Sequence, residues 1–294
     1  DVDNQTLASI THSFSQPSPA EGASGRLVYV GAGAAADFAG ADVRDAIVLT
    51  EGIASPAQAA NASRAGAVGQ IQISPHEHLH EMCVSPVWGS PSAETLEQLH
   101  RTVVCTVSNA DGSALRDRLR RGEEPRVALH AAVDSGWRQT PILVAELDGP
   151  TADGPFILYS GHHDTWYYGV MDNGAANATM LEVARLLATQ RDKWRRGLRL
   201  CFWSGHSHGR YSGSTWYADQ HWDELERRCA VHVNVDSTGG IGATVLEHPA
   251  PAPALLALAG EAIGEQTGAH YVGKRMSRSS DQSFWGIGVP AMFV

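Results

Sequence analysis

Pro155-Phe156-Ile157-Leu158-Tyr159-Ser160-Gly161-His162-His163-Asp164 is the stretch that decides the fold of this chain. Its first five residues are a short apolar run of the kind buried as a strand. The run ends on a glycine and a His-x-Asp triplet, and Asp172 follows ten residues after His162. Asn173 to Ala178 is small and polar, and Met180 to Ala188 then carries apolar residues at helical spacing. A strand, a loop rich in metal-binding side chains and a helix, in that order, predict an α/β unit. Imidazole and carboxylate gathered at the end of such a strand suit zinc and its neighbours. The plainer alternative is that His162 and Asp164 only hydrogen-bond a loop.

A second acid tips the balance toward a metal. Val231-His232-Val233-Asn234-Val235-Asp236 is another buried-type strand, and it ends on a carboxylate before Ser237-Thr238-Gly239-Gly240. In open α/β sheets, ligands bind where the carboxyl ends of the strands meet. His162, Asp172 and Asp236 all lie at or just beyond such ends. Three N/O ligands leave a fourth position for water, the arrangement of a catalytic metal site.

Gly161-His162-His163-Asp164-Thr165-Trp166, with Asp172 beyond it, resembles the first metal motif of the zinc exopeptidases. That family includes glutamate carboxypeptidase, aminopeptidases and the non-catalytic transferrin receptor. Phe202-Trp203 through Gly213-Ser214-Thr215-Trp216-Tyr217-Ala218 is similar to the family's next block, and Ser280-Asp281 through Phe284 to Gly288-Val289-Pro290-Ala291 to a later one. The resemblance runs over about residues 140–294 and rests on several ordered motifs. It implies a mixed, mainly parallel sheet flanked by helices. It further implies that His162 binds one metal, that Asp172 bridges two, that Asp236 completes the first site, and that Asp164 orients His162. The implied reaction is zinc-dependent hydrolysis of a peptide or related amide bond near a chain end, of the aminopeptidase or carboxypeptidase type. The family fold also calls for a segment before the first module and one beyond Val294, so the expectation is either a fragment truncated at both ends or a minimal version with an incomplete sheet edge.

The departures from the family pattern bear on the chemistry. After the strand ending at Trp203 the family carries two adjacent glutamates, a general base and a ligand of the second metal. Here the stretch is Gly205-His206-Ser207-His208-Gly209. With Trp203 and Gly209 as anchors, His206 stands at the base position and Ser207 at the ligand position. Imidazole exchanges protons near neutral pH, so His206 is the expected substitute base. A serine hydroxyl is a poor zinc ligand, so one intact zinc site and a degraded second one are expected. Ser207 and His208 are candidates for what is left of the second site. Arg210 and Arg278 are candidates for gripping a substrate carboxylate, and Asp281 for ordering a loop beside the cleft.

Two other classes compete. Gly205-His206-Ser207-His208-Gly209 is also a Gly-x-Ser-x-Gly elbow directly after an apolar strand, with Asp236 and then His248 or His270 in serine-hydrolase order. The glycine and serines of Arg210-Tyr211-Ser212-Gly213-Ser214 weaken the helix such an elbow needs. A non-catalytic relative is the other alternative, since both family glutamates are absent.

The first half reads as a separate module. Residues 1–24, rich in Ser, Pro, Gln and Gly, read as a linker or strap, residues 25–138 as one domain and 139–294 as the metallopeptidase-like one. Strand-like runs at Arg26–Val30, Ala46–Thr50, Gln70–Ile73, Thr102–Val107 and Val127–His130 alternate with helical stretches at Pro56–Ala65 and Ala110–Arg121. The Ala-x-x-Gly-Ala-x-Gly pattern from Ala62 to Gly69 resembles the α+β protease-associated domain inserted in larger members of the zinc exopeptidase family. Two features there read as decoys. Gly31-Ala32-Gly33-Ala34-Ala35-Ala36 approximates a dinucleotide fingerprint, but Gly40 cuts its helix short of a βαβ crossover of about 30 residues. His76, His78 and His80 alternate, but the loop context after Pro75 favours a surface role.

The formal charge of -10 over 294 residues argues against a nucleic-acid surface. No apolar stretch is long enough to cross a bilayer. The expected partner is a peptide or amide substrate, with oligomeric state and compartment left open. Asp1 is neither a start methionine nor the head of a signal peptide, so a natural beginning upstream is expected. The four cysteines show no metal spacing, and a Cys83–Cys105 disulfide would follow only in a secreted protein.

Overall fold

Each half of the chain builds its own six-stranded sheet, and the division falls between Arg138 and Gln139. The computed structural model describes residues 1–86, 89–244, 250–271, 273 and 283–294.

In the first unit, β1 (Ser9–Thr11), β2 (Ala23–Tyr29), β3 (Ile47–Glu51), β4 (Gly69–Ile73), β5 (Val103–Val107) and β6 (Arg126–Leu129) lie in the order β1-β5-β4-β3-β2-β6. The four central strands are parallel, and β1 and β6 close the edges antiparallel. Every residue of β4 and β5 is buried, as expected of parallel strands covered on both faces. Helix α1 (Pro56–Arg64) starts on Ser55, whose side chain accepts the Gln58 N–H, with Pro56 at its first position. Ser108 caps α2 (Asn109–Arg120) in the same way through Asp111 N–H.

Residues 1–24 belong to this unit and do more than connect. Ser9–Thr11 pairs with β5. The buried His12 accepts the Met82 N–H at 3.0 Å and donates to Thr106 Oγ1 at 2.9 Å. Burial and the nearby His80 and His100 hold the His12 pKa down to about 4. All four cysteines are free and buried, which sets aside the Cys83–Cys105 disulfide. The glycine-rich stretch after β2 leads into a single 3-10 turn, Ala35–Phe38, and not into a phosphate-binding helix. His76 and His78 are exposed on a loop.

In the second unit, β7 (Leu143–Leu147), β8 (Phe156–His162), β9 (Gly197–Trp203), β10 (Cys229–Asn234), β11 (Ala250–Pro251) and β12 (Ala291–Phe293) lie in the order β11-β12-β10-β8-β9-β7. The inner four are parallel, and β7 and β11 run antiparallel at the edges. This is a mixed, mainly parallel sheet flanked by helices. Side chains alternate between its faces. Ile157, Tyr159, Leu198, Leu200 and Phe202 pack with Ala176, Met180 and Ala184 of α3 (Ala176–Ala188). Phe156, Leu158, Cys201 and Trp203 pack with Tyr217 and Ala218 of α4 (Ser212–Gln220), Leu225 of α5 (Trp222–Arg228), and Phe284. Helix α6 (Leu256–Thr267) follows β11.

Arg199 is a charge inside a buried strand, and its partners explain it. Its guanidinium forks onto Glu224 at 2.8 and 3.0 Å, donates to Tyr217 Oη at 3.0 Å and lies 4.0 Å above the Phe156 ring. Gly161, near the end of β8, leaves room for the side chains of α3. A Cβ there would sit 2.9 Å from Asn177 Oδ1 and from Met180 Sδ, closer than side chains tolerate. The missing side chain lets α3 approach the end of β8, where the candidate site begins.

Candidate metal centre

His162 is the last residue of β8 and is paired with Trp203, the last of β9. Ser160 pairs with Asn234 at the end of β10, two residues before Asp236. Parallel strands in this register bring His162 and Asp236 to one edge of the sheet. Asp172 comes from the turn Val170–Ala175 that leads into α3, and its peptide bond to Asn173 is cis. Asn173 ties this turn to the Asp236 loop. Its Nδ2 donates to Val235 O at 3.1 Å and its Oδ1 accepts the Ser237 N–H at 3.0 Å.

His162 is almost fully buried. Its Nδ1 donates to the Asp164 carbonyl at 2.7 Å, which turns Nε2 toward the acids. Nε2 lies 3.0 Å from Asp172 Oδ1 and 3.4 Å from Asp236 Oδ1. Burial alone would lower the His162 pKa, but the hydrogen bonds and charges of Asp172 and Asp236 outweigh it and raise it to about 10. The pair of carboxylates therefore calls for a positive charge at this point.

Asp164 reaches His162 chiefly through its backbone. Its carboxylate stands 3.8 Å from Nδ1 and instead accepts the N–H groups of His206 and Ser207, each at 3.1 Å. It thus holds the loop after β9 against the end of β8.

His206 lies flat against His162, with ring centroids 3.9 Å apart and planes 4° from parallel. Its Nε2 is 3.5 Å from Asp236 Oδ2. Burial, and then the neighbouring His162, lower its pKa to about 4. One ligand atom from each of His162, His206 and Asp236 falls within 4.8 Å of the others, and no other such group occurs among the described residues.

These side chains fit a small cation. N and O donors at about 2.1 Å from a tetrahedral centre stand about 3.4 Å from one another, and the separations here are 3.0, 3.4 and 3.5 Å. Asp172 Oδ1 is inaccessible to solvent and has no hydrogen-bond donor among the described residues, the His162 ring at ion-pair distance aside. A buried carboxylate oxygen needs a positive charge beside it, which the protonated His162 ring supplies in the metal-free protein and a bound cation would supply in its place.

The remaining candidates are dispersed. His208 bonds the Thr165 carbonyl at 3.3 Å and packs on Trp166 at 4.1 Å. Ser207 uses its backbone N–H on Asp164, and no hydrogen bond links its hydroxyl to a histidine among the described residues, as the serine elbow would require. Arg210 lies over the Tyr211 ring at 5.0 Å. Asp281, Arg278 and His248 fall outside the described residues, and His270 is exposed on the loop after α6. The clip made by Asn173, and the Asn177 side chain that donates to the His162 carbonyl at 2.8 Å, were not singled out from the sequence. Their only trace there is a small, polar stretch before a helix.

The sequence pattern of Peptidase family M28 matches residues 143–294. Among curated proteins, Aminopeptidase NAALADL1 of Mus musculus is 25% identical over 134 residues, which is 44% of this chain and 18% of that protein. Probable glutamate carboxypeptidase VP8 of Zea mays is 31% identical over 91 residues, 30% of this chain and 13% of that protein. The chain therefore spans less than a fifth of the length of either relative. Among solved structures, a peptidase M28 precursor from Shewanella amazonensis SB2B aligns with a TM-score of 0.76 at 21% identity, over 98% of this chain and 68% of that one. BSAP, a zinc aminopeptidase from Bacillus subtilis, aligns with a TM-score of 0.74 at 19% identity, over 99% and 69%. At such identities the likeness is one of fold.

Proposed function

The chain belongs to peptidase family M28, and from that premise we propose that it is a metal-dependent hydrolase cleaving a peptide or related amide bond near a chain end. The observation that carries this reading is the convergence of His162 Nε2, Asp172 Oδ1 and Asp236 Oδ1 at 3.0 and 3.4 Å. In this reading His162, Asp172 and Asp236 hold zinc, which when bound would polarise the scissile carbonyl and lower the pKa of its water. The Asp164 carbonyl keeps Nε2 of His162 facing the site. Asn173 holds the two acids at a fixed separation. Tyr167 and Tyr168, exposed beside the Asp172 turn, are well placed to meet an extended substrate. Residues 25–138 are read as a non-catalytic, protease-associated-type module, and 139–294 as the catalytic one.

Elemental mass spectrometry on protein purified without chelator tests the proposal. About one zinc per chain, absent from His162→Ala, together with chelator-sensitive release of terminal residues from peptides, is the expected result. A chain that takes up no metal when zinc is supplied would refute it.

A further inference from the structure

By sequence, the stretch Gly205-His206-Ser207-His208-Gly209 carries a base at position 206. The geometry points to a different assignment: His206 is itself a metal ligand, joining His162, Asp172 and Asp236 at a site for a single divalent cation. The inference rests on the metal-dependent reading above and specifies the ligand set of that same site.

Three observations carry it. The first is position. A general base must face the attacking water and the substrate. His206 is nine-tenths buried, with one ring face covered by His162 and Nε2 turned toward Asp236 Oδ2 at 3.5 Å. Its Nε2 shares the 4.8 Å cluster with ligand atoms of His162 and Asp236.

The second is support. Ligating side chains are held by outer hydrogen bonds that fix their approach. Asp164 serves His162 in this way, through its carbonyl to Nδ1, and holds the main chain at His206 through its carboxylate. One residue thus orients the His162 ring and anchors the backbone that carries His206.

The third is charge. Two divalent cations carry four positive charges, and among the described residues the carboxylates converging on His162 Nε2 are Asp172 and Asp236. Ser207 brings no charge, and His208 bonds the Thr165 carbonyl instead. Two carboxylates and neutral imidazoles balance one divalent cation and leave a second one uncompensated.

Cobalt(II), which takes zinc's place and has visible absorption, provides the test. Wild type, His162→Ala, His206→Ala, His206→Cys and His208→Ala would each be titrated with zinc and with cobalt, and folding checked by circular dichroism. Loss of an outer hydrogen-bond partner weakens metal binding by roughly 10–100-fold. Loss of a ligand should exceed that, so His206→Ala should bind zinc more than about 100-fold more weakly. His208→Ala should match wild type. His206→Cys should bind one cobalt and show a near-ultraviolet thiolate-to-cobalt charge-transfer band, a signature that a structural role for residue 206 would not give. This variant keeps the test open if His206→Ala fails to fold. Wild-type affinity in His206→Ala, a cobalt-loaded His206→Cys without that band, or two equivalents of metal in wild type would overturn the assignment while leaving the metal-dependent reading intact. No metal in wild type would remove both.

Discussion

Asp164→Asn separates the two jobs of one side chain, because the carbonyl that bonds His162 is unchanged while the carboxylate that holds His206 and Ser207 is replaced. The carboxylate accepts two backbone N–H groups, each at 3.1 Å, and hydrogen bonds to a charged group contribute about 1.5–3 kcal/mol each. The amide keeps one acceptor oxygen, loses the charge, and sets an NH2 group against the second backbone N–H. The expected loss is about 2–3 kcal/mol. In a unit of this size each kcal/mol moves the thermal midpoint by about 2–4 °C, so a fall of about 4–12 °C is expected. Zinc affinity should drop by about 10–100-fold, because the loop that positions His206 is no longer held. Thermal unfolding followed by near-ultraviolet circular dichroism, with and without zinc, and a chelator-competition titration read the two effects. A midpoint within about 1 °C of wild type together with unchanged zinc affinity would refute the claim that this carboxylate secures the loop.

The raised pKa of His162, about 10, means that the metal-free protein carries a proton there at neutral pH. Zinc binding at pH 7.5 should therefore expel about one proton, detectable with an indicator dye, and affinity should rise about tenfold per pH unit toward 10; pH-independent binding would contradict this. The same shift stabilises the metal-free fold fully below pH 6.5 and is lost as pH rises through 10. His206 and His232 have the opposite sign, with folded pKa values lowered to about 4 and about 3, chiefly by burial. The unfolded chain binds those protons first, so unfolding free energy from urea titrations should fall as pH drops from 6.5, by about 1.4 kcal/mol per unit for each histidine, down to about 4 for His206 and about 3 for His232. Gly161→Ala places a methyl 2.9 Å from Asn177 Oδ1 and 3.0 Å from Asn173 Nδ2. It should cost about 1–3 kcal/mol in urea unfolding and weaken zinc binding by disturbing the Asn173 clip, and equal stability would show that α3 adjusts freely.

What the sequence revealed about this fold was what local pattern can carry. Phe156–His162, Gly197–Trp203 and Cys229–Asn234 are apolar runs because a parallel strand is buried on both faces. Once those strands are parallel, His162, Asp172 and Asp236 must arrive near one edge. The position of His206 was not legible in the same way, because it depends on how the loop after Trp203 folds back. A carboxylate 42 residues earlier in the chain sets that fold. No periodicity records such a contact. Similarly, nothing local marks Ser9–Thr11 as a strand, since its partner β5 is nearly a hundred residues away. Arg199 is polar within an otherwise apolar run, and only its neighbours Glu224 and Tyr217 explain it.

Ser160 lies one turn of the pleat beneath the metal ligands, and its hydroxyl meets His232 Nε2 at 2.7 Å and Asn234 Oδ1 at 3.2 Å across the pair β8 and β10. Apolar neighbours would tolerate a slip of two residues between these strands, because a slip by two restores the same face. The buried polar trio would not. Shifted by two toward Asp236, Asn234 would stand opposite Leu158 and His232 opposite Phe156, each without the Ser160 hydroxyl and at about 1–3 kcal/mol apiece. The trio therefore serves as an alignment key for the sheet, so that the register of β8 and β10, and with it the spacing of His162 and Asp236, does not depend on a cation to set it.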